Sequence, residues 1–267
     1  MSYSFFQRPL PNFNNDCHII TTLHLLASMD VNIFSPEFLK VINYVRGNDN
    51  MKYFYDDFIA FMRNRLQDQQ YDPNEDIEDF VDLGFIRNNM KIQNKYQPYK
   101  CNNYKDKVLD MSMILVAPDK KPDTLENLLN SRGLFQNITP SCSLQMTIKN
   151  PYGGRYLIIG IQRNENGEYK NRTPIFTNEI INVGNNLYKI NAIIVHCGNN
   201  VDKGHYVIFL YNKYDNSWYL YDDNKEPLKI NLNYMDFVHH SYKCGCGFFK
   251  NSGNIVSDAT TLLYELV

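Results

Sequence analysis

The stretch that most constrains this chain runs from residue 191 to 223 and reads NAIIVHCGNNVDKGHYVIFLYNKYDNSWYLYDD. Residues 192–197 are a β-branched run, and residues 198–204 are a polar turn with a glycine at each end. Residues 206–211 and 218–221 are aromatic-rich runs on either side of the polar turn 212–217, the composition of an antiparallel hairpin. His205 follows a glycine and opens one strand, and Asp222 follows the end of the next. A histidine and an aspartate at the ends of neighbouring antiparallel strands lie side by side, which supplies two parts of a nucleophile–His–Asp constellation. A hydrogen-bonded histidine in an apolar strand is the structural alternative for His205. The nucleophile must come from elsewhere, and Cys17 is the candidate.

Pro9 and Pro11 forbid helix at the start of the chain. The segment CHIITTLHLLASM then places Leu23, Leu26 and Ala27 at helical spacing, with Ile19 and Ile20 one turn earlier. Asp16 is the expected N-cap. Cys17 therefore falls in the first turn, where backbone N–H groups and the helix dipole favour a thiolate. On position alone, a buried structural cysteine is the favoured reading. Residues 35–45 and 53–66 read as two more helices. Ser35-Pro36 starts the first, and Phe54, Phe58, Phe61, Met62 and Leu66 share one face of the second. After an acidic segment at 72–79 the chain changes character. Residues 80–90, 108–116, 144–148, 156–162 and 174–181 read as strands between Asn, Gly and Pro punctuation, and 124–130 as a short helix with a capping-box start. The expectation is an α+β fold in one domain, 1–267. A helical lobe (1–75) would carry Cys17 and a β-rich lobe (76–267) His205, with the site in the cleft between them.

A chain of 267 residues can bury a substantial core, and its 20 Tyr and 16 Phe speak against disorder. The net charge of −2 gives no electrostatic case for nucleic acid or an anionic membrane. No apolar run reaches the ~20 residues of a membrane span, and the N-terminus lacks a signal-peptide pattern. The six cysteines are accordingly expected to be reduced, in the cytoplasm or nucleus, of a host cell if the gene is viral.

The His-bearing stretch INAIIVHCGNNVDKGHYVIFLY with WYLYDD, preceded in order by PLPNFNNDCH, VLDMSMILVAP, TLENLLN and LIIGIQRNENGEYKNRTPIF and followed by ATTLLYELV, resembles the ubiquitin-specific protease family of papain-like cysteine proteases. Around the cysteine the chain has Asn14, Asp16 and His18 where that family has Gly, Thr and Tyr. The resemblance implies a papain-like fold and a deubiquitinating hydrolase. Cys17 would attack the carbonyl after the C-terminal glycine of ubiquitin or a ubiquitin-like modifier. His205 would be the base, and Asp222 its orienter, with Asp223 as the adjacent alternative. Asn12 would supply an oxyanion donor beside the backbone N–H of Cys17. Asp57 stands where the family places an acid that reads an arginine of the ubiquitin tail. Gly198 and Gly204 would bound a loop closing over that tail, with Tyr206 next to the histidine. The family's zinc finger uses two C-x-x-C pairs; here the places read Cys101-Asn-Asn-Tyr104 and Cys142-Ser-Leu-Gln145, so the finger lobe is expected to be reduced and to hold no metal. Cys244-Gly-Cys246 has no partner pair and reads as a turn. No cofactor is implied. The implied partners are ubiquitin or a ubiquitin-like modifier and ubiquitinated proteins. A catalytically silent scaffold of the same fold is the alternative.

Overall fold

The computed structural model describes residues 6–12, 16–68, 94–96, 109–111, 114–118, 120–131, 155–163, 170–183, 186–200, 204–223, 225–243 and 252–267. The expected strands at 80–90 and 144–148, the lobe boundary near 75, and Cys101, Cys142, Cys244 and Cys246 lie outside these residues. No helix among the described residues is long and apolar enough to cross a membrane.

Three helices come first: α1 (Cys17–Ala27), α2 (Pro36–Val45) and α3 (Lys52–Asp68). Ser35 caps α2 as its sequence demands, Oγ accepting from the Phe38 N–H at 3.3 Å with Pro36 in the first turn. Asp16 holds the N-cap position of α1 but makes no side-chain capping bond, contrary to the sequence expectation. α2 and α3 pack through aromatic edges, with Phe38 and Phe58 ring centroids 5.5 Å apart.

Strands follow. β1 (Asn94–Tyr96) pairs with β2 (Leu109–Met111), and β3 (Ile114–Val116), β4 (Asp123–Thr124) and α4 (Leu125–Ser131) come next. Thr124 Oγ1 accepts from the Asn127 N–H at 3.2 Å, and Asn127 Nδ2 reaches back to the Asp123 carboxylate. The remaining elements are β5 (Tyr156–Ile161), β6 (Ile175–Phe176), β7 (Ile180–Val183), β8 (Asn186–Cys197), β9 (His205–Asn212), β10 (Ser217–Tyr221), β11 (Leu228–Ile230), α5 (Tyr234–His239), β12 (Ser241–Lys243), β13 (Ser252–Asn254), α6 (Ile255–Asp258) and β14 (Ala259–Leu266). The main sheet runs β11-β10-β9-β8-β14-β5-β3, with β7 also on β8; β3–β5 is its one parallel pair among the described strands. The single strand expected at 174–181 is two strands in different sheets. β6 pairs with β4 and β7 with β8, and between them the buried Thr177 turns to the Tyr234 hydroxyl at 2.9 Å.

The sheet is buried on both faces, so its strands are almost continuously apolar. Alternation still sorts them. Ala192 and Ile194 of β8, Ile208 and Leu210 of β9, Tyr219 and Tyr221 of β10 and Leu263 of β14 share one core with α1, α2 and α3. Ile193, Val195, Val207, Phe209, Trp218, Leu220 and Leu262 join a second core with α4, α5 and α6. The helices therefore lie on the sheet and share its core. The fold is α+β and papain-like, and it sets the N-terminus of α1 beside the ends of β9 and β10. One expectation fails: Cys197, buried in the second core, is disulfide-bonded and not a free thiol.

Candidate active site

β9 and β10 are antiparallel, with Ile208 opposite Tyr221. Continued by one residue, that register sets Asp222 opposite Val207, and His205, two residues further along β9, is its diagonal neighbour on the same face. Their side chains meet: His205 Nε2 lies 2.7 Å from Asp222 Oδ1. That bond commits Nε2 to the carboxylate and leaves Nδ1 for Cys17, whose thiol hydrogen-bonds the same ring. Cys17 is 7% exposed and His205 3% exposed, so the three groups meet in a site largely shielded from water.

The electrostatics follow from that shielding. Burial alone would discharge His205, but the bond to Asp222 and then the bond to Cys17 outweigh it and raise the imidazole pKa to about 10. Burial also works to raise Asp222, but its hydrogen bonds to His205 and to Lys225 Nζ, the latter at 2.7 Å, hold the carboxyl below the usual range. Asp223 goes the other way. Burial is its leading influence and raises it, against weaker pulls from His205 and Asn12. Its nearer oxygen is 3.6 Å from His205 Nε2, against 2.7 Å for Asp222. Two adjacent carboxyls are thus pushed apart, Asp222 being the one that backs the imidazolium.

Asp223 faces a different task. Its backbone sits at φ +52°, a left-handed conformation that aspartate tolerates better than most residues. That turn points its carbonyl at the Leu10 N–H (3.3 Å) and its carboxylate Oδ2 at Asn12 Nδ2 (3.2 Å). Asn12 Oδ1 in turn accepts from the Asp16 N–H at 2.9 Å. Asn12 is therefore fixed at both ends of its amide, and Nδ2 retains a second N–H for an incoming oxygen.

The three expected binding residues each have close neighbours within the chain. A Cβ at Gly204 would stand 2.2 Å from His196 Nε2 and 2.5 Å from the Cys197 carbonyl. Tyr206 is half-buried against the helical core, its ring 4.6 Å from that of His196 and 6.5 Å from that of His18. Asp57 hydrogen-bonds Tyr53 and lines a groove of about 220 Å³ between α2 and α3 with Phe38, Val41, Phe54 and Phe61. None of Cys17, His205 or Asp222 lines that groove. On a helix Asp57 and Phe61 fall one turn apart on the face turned to α2.

Residues that the sequence reading left without a role support the site from behind. Lys170 Nζ bonds the His196 carbonyl and lies 2.8 Å from an Asp258 oxygen, while its N–H bonds the Asn199 carbonyl at 3.0 Å. Burial lowers the Lys170 pKa to about 8. Arg163 gives hydrogen bonds to the carbonyls of Ala259, Asn171, Thr173 and Val256. Lys170 clamps the exit of β8, from which the chain returns to His205. The family segment around Arg163 and Lys170 marked these positions but gave no reason for them. Arg63, on α3, forks onto Asp16; nothing in a helix-surface arginine signals that partner. As for metals, His205, Asp222 and Asp223 bring ligand-type atoms within 4.8 Å of one another. Lys225, Asn12 and the imidazole itself already bond those carboxylates, so hydrogen bonding accounts for the cluster.

The sequence model described as ubiquitin carboxyl-terminal hydrolase matches residues 36–227, more than half of the chain and inclusive of His205, Asp222 and Asp223 but not Cys17. No curated protein matches. Solved structures match over nearly the whole chain at low identity. The SAGA Ubp8/Sgf11/Sus1/Sgf73 DUB module bound to ubiquitin aldehyde aligns with a TM-score of 0.65 at 13% identity, covering 99% of this chain and 70% of that one. The Ubp8-Sgf11-Sgf73-Sus1 SAGA DUB module aligns at 0.63 and 13%, covering 99% and 68%. An essential yeast splicing factor aligns at 0.58 and 14%, covering 98% and 70%. With the family model spanning most of the chain and the fold agreeing end to end, this protein belongs to the ubiquitin carboxyl-terminal hydrolase family.

Proposed function

We propose that the protein is a deubiquitinating cysteine protease that hydrolyses the isopeptide or peptide bond after the C-terminal glycine of ubiquitin or a ubiquitin-like modifier. The observation that carries the reading is the unbroken relay from Cys17 through His205 to Asp222, at the end of a helix and two adjacent strands. Cys17 attacks the carbonyl carbon as a thiolate, and the carbonyl oxygen becomes an oxyanion. Its donors are the second Nδ2–H of Asn12 and the backbone N–H of Cys17, each such donor being worth ~10²–10³ in rate. His205 holds the proton at Nδ1 and passes it to the leaving amine, which departs with the acyl group left on Cys17 as a thioester. A water then gives its proton to His205 and attacks the thioester, releasing the modifier with a free carboxylate and restoring the thiol. Asp222 stabilises the imidazolium through both half-reactions. A Ubp8 module bound to ubiquitin aldehyde shares the fold, which supports the modifier as substrate.

The test is an intact-mass measurement of the protein and of Cys17→Ala after incubation with ubiquitin carrying a thiol-reactive group at its C-terminus. One ubiquitin added to the wild type and none to Cys17→Ala is the expected result. Ubiquitin bound without an adduct would replace the enzyme with a silent scaffold. Neither adduct nor binding would remove ubiquitin as the substrate.

A further inference from the structure

The residue before the proposed nucleophile is an aspartate, and it is 3% exposed. A carboxylate at the start of a helix ordinarily accepts from the second or third N–H of that helix. Asp16 does not. Both of its oxygens are instead taken by the guanidinium of Arg63: Nε to Oδ1 at 3.0 Å, and Nη2 to Oδ2 in a second, closer contact. The pair is a planar fork on a carboxylate, the geometry that holds an ionised acid in one orientation. The Asp16 N–H donates to Asn12, so the residue is pinned from the backbone side as well. The acid side chain is 4% exposed and the arginine 29%, so water does little to screen the carboxylate while the fork is in place.

We propose that Arg63 is a positioning residue for Cys17: its fork holds the Asp16 carboxylate off the N-terminus of α1 and neutralises it, so that the first-turn N–H groups and the helix dipole act on the thiolate and the oxyanion. This rests on the reading of Cys17 as the nucleophile. An unpaired Asp16 carboxylate would oppose the reaction twice. It would swing onto the first-turn N–H groups as an ordinary cap, in competition with the oxyanion, and it would set a negative charge against a thiolate. Among the described residues, the charged and titratable groups on the elements that meet at Cys17 are few. α1 brings Asp16 and His18, and α3 brings Arg63 with Tyr55 behind it. β9 brings His205 and Tyr206, and β8 brings His196. Past the end of β10 come Asp222 and Asp223, with Lys225 on Asp222. Of these, Arg63 is the cation that offsets the acid adjoining the nucleophile.

The experiment reads thiol reactivity without ubiquitin. The rate of Cys17 alkylation by iodoacetamide, followed by peptide mass from about pH 5 to 10, is compared in wild type, Arg63→Gln, Asp16→Asn and the double variant, each with its melting curve. Arg63→Gln is expected to raise the pH midpoint by about one unit or more, and the double variant to return within roughly 0.3 of wild type. A structural prop alone would lower the melting temperature of both variants and leave both midpoints in place, which overturns the proposal. So does a double variant that stays displaced. If Arg63→Gln does not fold, Arg63→Lys carries the test, since it keeps the charge and loses the fork. A midpoint raised by about 0.3 or more then supports the proposal, and an unmoved one overturns it. The parent reading fails differently: a wild-type Cys17 titrating as an ordinary thiol near ~8.5 removes both ideas. A reactive Cys17 without a ubiquitin adduct removes the substrate and leaves Arg63 its role.

Discussion

The segment bearing His205 and the segment bearing Cys17 are built on opposite plans. The former is three consecutive strands whose ladder bonds fix it from within: Cys197 lies opposite His205, Tyr206 opposite His196, and the β9–β10 register carries Asp222 to the imidazole. In the latter the described residues 6–12 form no helix or strand, and their geometry is borrowed. Leu10 hangs on the Asp223 carbonyl, Asn12 on the Asp223 carboxylate, and Asp16 on Arg63, 47 residues later in the chain. A locally fixed site needs a definite local sequence, whereas a site fixed by distant partners can vary its sequence if the partners vary with it. The family model matches residues 36–227, which include the His segment and begin after Cys17. Three measurements bear on this contrast.

The largest expected effect separates two neighbouring carboxylates. Asp222 serves the His segment through His205 and Lys225, while Asp223 ties it to the Cys segment. Asp222→Ala is expected to lower kcat by about 10²–10⁴ with little change in KM, the usual loss when an imidazole loses its orienting acid. Asp223→Ala should cost about tenfold, through loosening of Asn12, less than the ~10²–10³ for removal of an oxyanion donor itself. Equal losses in steady-state kinetics would mean that the two segments are not separable.

Gly204→Ala probes the rigidity of the His segment. The new Cβ would meet the His196 ring and a backbone carbonyl, and the clamp from Lys170 holds that carbonyl's strand in place. Overpacking of this kind costs about 1–3 kcal/mol, and denaturant unfolding should show it together with a lowered kcat. A variant as stable as wild type would show that the turn before His205 yields, and the contrast would lose its basis.

The smallest effect is the pH dependence of stability. His205 has its folded-state pKa raised to about 10. The stability it contributes is fully present below the free-imidazole value of about 6.5 and is lost as pH rises through about 10. Asp222, held low, contributes above the ordinary carboxylate range and loses that contribution as pH falls through its depressed value. Wild type should therefore lose more melting temperature between pH 7 and pH 10 than His205→Gln does. Parallel curves would mean that the His205–Asp222 pair adds nothing to the fold.

Much of this protein is legible in its sequence because the relevant physics is local. Strand composition placed β8, β9 and β10. A two-residue period put His205 beside Asp222, and Ser35-Pro36 started α2 where the structure starts it. The helical period placed Cys17 in the first turn of α1. Whatever depends on a partner distant in sequence was decided only by the tertiary structure. Asp16 reads as an N-cap until Arg63 takes its carboxylate. That a side chain at 204 would meet the His196 ring is likewise not written in the neighbouring residues. That Asp57 lines a groove with Phe38, Val41 and Phe54 follows from the packing of α2 on α3. Backbone periodicity and turn chemistry are written in neighbouring residues. A buried carboxylate's partner is set by desolvation, which drives it to whichever cation the fold brings within reach.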